Sequence, residues 1–264
     1  MARVIAVTNQ KGGVGKTTTC VNLAASLSAT KRRVLLVDMD PQGNATMGSG
    51  VDKNGVERSG FDVLTKRSGA DVVIMPVESA GFDLLPANGD LTAAEVELMN
   101  EIGREHRLRL CLNAVRENYD YILIDCPPSL NLLTVNALSA ADTVLIPMQC
   151  EYYALEGLAA LMNTIEQIKE SVNPDLQIEG ILRTMYDPRN SLTLDVSGQL
   201  SEYFGDKVYK AVIPRNVRLA EAPSYGLPAL KYDRASKGAV AYLALAGEMV
   251  RRHGSQKAQG TVAV

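Results

Sequence analysis

Six short runs of apolar, largely β-branched or leucine residues recur along the chain, at Val4 to Val7, Val34 to Val37, Tyr121 to Ile124, Thr143 to Pro147, Ile178 to Leu182 and Val208 to Ile213. Between them lie longer stretches with apolar residues at helical spacing, such as Val21, Leu23, Ala24 and Leu27, or Leu158, Leu161, Met162, Ile165 and Ile168. Strands apolar at successive positions need cover on both faces, and alternation with helices supplies it. The pattern therefore predicts an α/β fold, a mostly parallel twisted sheet with helices on both faces. Such sheets bind ligands in the loops beyond the carboxyl ends of their strands, so the residues following each run are where function should be sought.

The first run leads directly into Gln10-Lys11-Gly12-Gly13-Val14-Gly15-Lys16-Thr17-Thr18 and then a helical pattern. That is the strand, loop, helix context of a phosphate-binding loop. Glycines at 12, 13 and 15 let successive backbone N–H groups face one centre, and a helix starting near Lys16 adds its positive dipole end. A Gly-rich turn alone would be a tight connection; Gly-Lys-Thr-Thr adds a charge and a metal ligand. Lys16 is expected to reach the β and γ phosphates of ATP, Thr17 to ligate Mg²⁺ and Thr18 to approach the α-phosphate. Strict G-x-x-x-x-G-K-[ST] is not met, because its first position falls on Gln10, and Lys11 stands ahead of Gly12.

Two further segments end in acids. Leu35-Leu36-Val37-Asp38-Met39-Asp40-Pro41-Gln42-Gly43-Asn44 carries two aspartates of one parity, which in an extended segment share a side. One would orient the attacking water and the other hold metal-bound water or a loop, with Asp40 favoured for the water. Tyr121-Ile122-Leu123-Ile124-Asp125-Cys126-Pro127-Pro128-Ser129 has the form of the second nucleotide motif, with Asp125 on the Mg²⁺ side. A lone aspartate after a strand is commonly a cap or turn acid; three beside a phosphate loop point to metal and water.

Composition narrows the alternatives. The 264 residues are 46% hydrophobic, enough for one sizeable core, and residues 1–253 are expected to form a single domain. Gly43 to Gly60 reads as a long surface loop, and a last helical stretch, about Ser236 to Arg252, precedes a polar tail, 254–264, expected to be frayed. Lys and Arg number 27 against 30 Asp and Glu, a net charge of −3, so any nucleic-acid contact must come from a local patch. Cys20, Cys111, Cys126 and Cys150 are far apart and fit buried, reduced thiols; His106 and His253 lie near no nucleophile pattern. With no signal-peptide pattern and no apolar run of the roughly 20 residues that cross a bilayer, a soluble cytoplasmic protein without membrane attachment is expected.

The runs Lys11 to Thr18, Val37 to Asn44 and Asp125 to Ser129 closely resemble the ParA/Soj family of partitioning ATPases, which has the P-loop NTPase fold with a deviant Walker A loop; the match spans roughly residues 2 to 250. Ile213-Pro214-Arg215-Asn216-Val217-Arg218-Leu219-Ala220-Glu221-Ala222-Pro223 resembles that family's late motif, which implies Pro214 and Asn216 as adenine contacts. The resemblance further implies an ATP-closed homodimer in which Lys11 reaches the partner's phosphates. It implies nonspecific double-stranded DNA binding on the nucleoid, and slow hydrolysis to ADP stimulated by a ParB-type partner. Arg189, Arg215 and Arg218 are the candidate DNA contacts, with Lys231, Arg234 and Lys237 as neighbours. Three other readings are less well matched. A MinD-like membrane protein needs an apolar terminal face that Arg251 to Gly260 lacks. A nitrogenase-iron-protein type needs Cys126 and Cys150 in glycine-rich settings. A scaffold that uses ATP only to dimerise would have little need of Asp40, Asp125 and Thr17.

Overall fold

The computed structural model describes residues 1–260, with side chains described through Ser255. Among these residues the strands β1 (Arg3–Val7), β2 (Val34–Asp38), β3 (Met75–Val77), β4 (Phe82–Leu85), β5 (Tyr121–Asp125), β6 (Thr143–Gln149), β7 (Gln177–Tyr186) and β8 (Val208–Pro214) form one sheet. The order across it is β3-β4-β2-β5-β1-β6-β7-β8, and only the β3 and β4 pair is antiparallel. The helices are α1 (Lys16–Ala29), α2 (Asn44–Gly48), α3 (Gly60–Leu64), α4 (Ala70–Val73), α5 (Leu91–Glu97), α6 (Arg107–Asn113), α7 (Leu132–Ala140), α8 (Ala154–Ser171), α9 (Ser191–Phe204), α10 (Val217–Glu221), α11 (Ala229–Tyr232) and α12 (Lys237–Gly260).

Successive strand residues face opposite ways, and the two parities feed two cores. Val4, Ala6, Leu35, Val37, Ile122, Ile124, Val144 and Ile146 pack beneath helices α3 and α5 to α9. Ile5, Val7, Val34, Leu36, Leu123 and Leu145 pack against α1 and α12 through Leu23, Leu27, Tyr242, Leu245 and Met249. This two-sided burial is why the strand runs lack polar alternation. The sheet order turns at β1, between β5 and β6, which sets the loops after β1, β2 and β5 side by side.

Three segments differ from the sequence expectation. The β3–β4 pair was not anticipated, because Met75-Pro76-Val77 is three residues long and holds a proline. The glycine-rich segment 43–60 contains α2 and the start of α3, the latter closed by a capping box between Ser59 and Asp62. Helix α12 continues through Gly260, so the tail expected to fray from Gly254 is helical to that point; residues 261–264 lie outside the described residues.

Two details stabilise the far end of the sheet. Opposite β6, Ile178 pairs with Val144 and Gly180 with Leu145, leaving Glu179 as the extra residue of a β-bulge. Its carboxylate accepts from Arg3 Nε, Thr143 Oγ1, Tyr209 Oη and His253 Nε2, at 3.1, 2.9, 2.9 and 2.8 Å. At the β8 edge, the N–H groups of Lys210 and Ala211 donate to the two oxygens of Glu248, at 3.0 and 2.9 Å. Arg252 holds that carboxylate from one turn further along α12.

Candidate nucleotide site

The loop between β1 and α1 keeps its shape through glycines and tethers. Gly13 and Gly15 have φ of 74° and 86°, left-handed values that a β-carbon disfavours, and Gly15 caps α1. A β-carbon at Gly12 or Gly13 would meet no protein atom within 4 Å, so this stretch of backbone borders open space. Asn9 Nδ2 donates to the Pro147 carbonyl at 2.8 Å and Asn9 Oδ1 accepts the Lys11 N–H at 3.0 Å. Gln10, at the position where the strict motif has glycine, donates to Thr164 Oγ1 on α8 at 3.0 Å. Thr184 Oγ1 of β7 donates to the Val14 carbonyl at 2.8 Å.

The two lysines behave differently. Lys16 is 8% exposed, and its Nζ folds onto the Lys11 carbonyl at 3.3 Å. Burial pushes its pKa down, against the opposing pull of Asp125, Cys126 and Asp40. Lys11 lies on the rim and forms an ion pair with Glu151, at the start of the β6–α8 connection, at 2.8 Å.

Asp125 ends β5 completely buried, and the thiol of Cys20 donates to its Oδ1 at 3.5 Å. The hydroxyl of Thr17 also helps to hold its charge. Its Oδ2 has no hydrogen-bond partner among the described residues. Burial and the neighbouring Asp38 raise the Asp125 pKa well above the usual carboxylate range. Burial raises Asp38 as well, although its carboxylate accepts from the Asp40 N–H and from the N–H and hydroxyl of Thr46. Asp38 thereby anchors the first turn of α2. The shared side expected for Asp38 and Asp40 assumed an extended chain, but β2 stops at Asp38 and the Asp40 N–H turns back onto it at 3.1 Å. Asp40 is half-buried, and Oδ1 accepts the Gln42 N–H at 3.0 Å.

On the other side of the loop lies a pocket of about 410 Å³, bordered by Gly15, Thr18, Met185, Pro214, Asn216 and Tyr242, among others. Pro214 and Asn216, singled out from the late motif, thus share a pocket with the loop. Asn216 Oδ1 is buried and has no partner among the described residues. Met185, a non-glycine residue at φ 48°, also lines this pocket. Thr184, Met185, Tyr242, Glu151 and Thr46 had escaped the sequence reading. None belongs to a local motif; Glu151 alone carried a signal, as an acid just past a strand run.

The candidate DNA residues divide. Arg189 is held by both oxygens of Asp187, at 2.9 and 2.8 Å. Arg218 sits between Glu221 and Asp233, at 2.7 and 3.3 Å. Arg215, Lys231, Arg234 and Lys237 are exposed and make no ion pair among the described residues. Cys20, Cys126 and Cys150 are buried free thiols and Cys111 is partly buried. No helix among the described residues is long and apolar enough to cross a membrane.

Comparison with known proteins agrees with this arrangement. A family described as an AAA domain matches residues 2–178. The sporulation initiation inhibitor protein Soj of Bacillus subtilis is 55% identical over 249 residues, covering 94% of this chain and 98% of that protein. The chromosome partitioning protein ParA of Caulobacter vibrioides is 51% identical over 259 residues, 97% of each chain. Among solved structures, cobyrinic acid a,c-diamide synthase of Mycobacterium smegmatis, with bound ADP and magnesium, superposes with a TM-score of 0.85 at 38% identity over 97% of both chains. The cell division ATPase MinD of Pyrococcus furiosus does so at 0.80 and 27% identity, over 95% of this chain and 99% of that one. These likenesses run through the loop, both acid-tipped strands and the sheet between them, and the chain belongs to the ParA/Soj family of chromosome partitioning ATPases.

Proposed function

We propose that this chain is an ATP-gated partitioning switch: with ATP it pairs with a second copy and binds DNA without sequence preference, and hydrolysis, stimulated by a ParB-type partner, resets it. The observation that supports the nucleotide assignment is a pair of buried oxygens without partners among the described residues, Asp125 Oδ2 and Asn216 Oδ1, in the acid cluster and in the pocket on either side of one phosphate loop. A buried polar atom without a partner costs about 1–3 kcal/mol. A divalent ion with its water suits the first, and the exocyclic amine of adenine suits the second.

Thr17 and Asp125 would hold Mg²⁺, with Asp38 behind them keeping the turn in place. Bound there, Mg²⁺ would neutralise charge on the β and γ phosphates. Lys16 leaves the Lys11 carbonyl for the phosphates, and the loop N–H groups supply further donors. Asp40 orients the attacking water, and Lys11 reaches the phosphates of the facing copy. Pro214 and Asn216 bind the base. For DNA, the ion pairs of Arg189 and Arg218 leave Arg215, Lys231, Arg234 and Lys237 as the better-placed cations, which offsets the overall charge of −3 locally. On this reading the protein resides on the nucleoid.

The test is binding to a nonspecific duplex without nucleotide, with ADP and with ATP, using Asp40→Ala to prevent turnover, at two salt concentrations. Binding only with ATP, weakened by salt, is expected. An ATP-dependent dimer that binds no DNA in any state would leave the nucleotide switch standing and remove the DNA role. Lys16→Ala should abolish ATP binding, and unimpaired hydrolysis by Asp40→Ala would overturn the role given to Asp40.

A further inference from the structure

Residue 11 is held at three points. Its N–H donates to Asn9, its carbonyl accepts from Lys16 Nζ, and its own ammonium is bonded to Glu151 at 2.8 Å. Glu151 is itself set by a tight turn, in which its N–H donates to the Gln149 carbonyl and its carbonyl accepts the Ala154 N–H, at 2.9 and 3.0 Å. The two side chains are 45% and 44% exposed, so the pair lies on the surface, open to an approaching molecule. Tyr152 and Tyr153, stacked edge to face, follow directly and are 75% and 68% exposed.

An ammonium engaged with one anion is less available to another. We propose that Glu151 is a positioning residue for Lys11, an internal stand-in for a phosphate that keeps this lysine within its own chain until the nucleotide of a facing copy displaces the carboxylate. This inference rests on the reading above that Lys11 acts across a pair of copies. It adds a threshold: pairing requires a ligand with more negative charge at that position than one carboxylate offers. The ion pair is exposed, so the threshold is low. Such pairs change an equilibrium by up to about fivefold, and because two are released when two copies meet, the effect on dimerisation is about 2- to 25-fold.

The experiment titrates the full-length chain with ATP in an Asp40→Ala background and follows the dimer by sedimentation, alongside ADP affinity and thermal unfolding. Glu151→Gln is expected to dimerise at lower protein and ATP concentrations by that factor, with ADP affinity and melting temperature unchanged. Glu151→Asp, which keeps the charge, should return toward the parent. A general loosening of the β6–α8 turn would lower the melting temperature and would not be rescued by aspartate. If Glu151→Gln dimerises no more readily than the parent while Lys11→Ala fails to dimerise, the restraint is refuted and the role of Lys11 survives. If Lys11→Ala dimerises normally, the reading of Lys11 falls and the restraint falls with it.

Discussion

Thr184 donates its hydroxyl to the carbonyl of Val14 at 2.8 Å, joining strand β7 to the middle of the phosphate loop. The same residue borders the pocket that Pro214 and Asn216 line, so one side chain ties that pocket to the loop. Thr184→Val keeps the volume and removes the donor. A hydrogen bond of this kind contributes about 1 kcal/mol, so nucleotide affinity should weaken about fivefold. Thr184→Ser should restore most of it, as read by titration with a fluorescent ADP analogue.

Asp125 gives a pH dependence of unusual sign. Its folded pKa lies above the ordinary value of 3.8 because it is buried beside Asp38, so the folded chain holds a proton that the unfolded chain releases. Stability from this group is therefore gained as the pH falls through the raised value and declines as the pH rises. The nucleotide-free protein should melt at a lower temperature at about pH 8 than at about pH 6, with Asp38 contributing in the same direction. Asp125→Asn should flatten that slope, raise the melting temperature without nucleotide and remove the added stabilisation that Mg²⁺ gives with ADP. Calorimetry at the two pH values, with and without Mg²⁺, measures all three.

Glu179 has the opposite sign. Burial works against its charge, but the hydrogen bond and charge of His253, the charge of Arg3 and the Tyr209 hydroxyl outweigh it and hold the pKa down at about 2, against 4.5 in an unfolded chain. The stability it contributes is complete above 4.5 and is lost as the pH falls through about 2. Glu179→Gln removes the buried carboxylate that Arg3 and His253 both bond and should lower stability at neutral pH by about 3 kcal/mol. It should also flatten the decline of stability in that acid window, which urea unfolding at successive pH values would record.

Gly180 follows the bulge that turns Glu179 inward. A β-carbon there would stand 2.7 Å from the Lys207 carbonyl oxygen and 2.7 Å from the buried ring of Tyr209. Gly180→Ala should cost about 1–3 kcal/mol in thermal unfolding while leaving ADP affinity intact, since the site lies beyond the other end of the sheet.

Much of this arrangement was legible because its determinants are local. The runs at Val4, Val34, Tyr121 and Thr143 carry their own periodicity, and Lys16, Thr17 and Asp125 sit at fixed offsets from strand ends, so place follows from pattern. Thr184, Met185 and Tyr242 were not legible, since each arrives from a distant segment and no nearby residue marks it, and Glu151 was marked only by its place just past the run at Thr143. Asp38 shows a third kind of limit. Its identity and its strand were readable, but its engagement by Thr46 depends on a turn that a parity rule cannot contain. Edge strand β3 was hidden by brevity and by Pro76.

That proline and the carboxylate of Glu248 stand at opposite margins of the sheet. One margin places an imide nitrogen, with no hydrogen to give, in its outermost strand, and the other has two of its amide hydrogens already taken by an acid of α12. Open sheets grow when a margin offers a ladder to a passing chain, and both ladders here are interrupted. For the proposed pairing of two copies to be switched by ATP, it must run through contacts that a small ligand can make and unmake. Backbone ladders are indifferent to nucleotide, and blocking them leaves side chains as the medium of assembly.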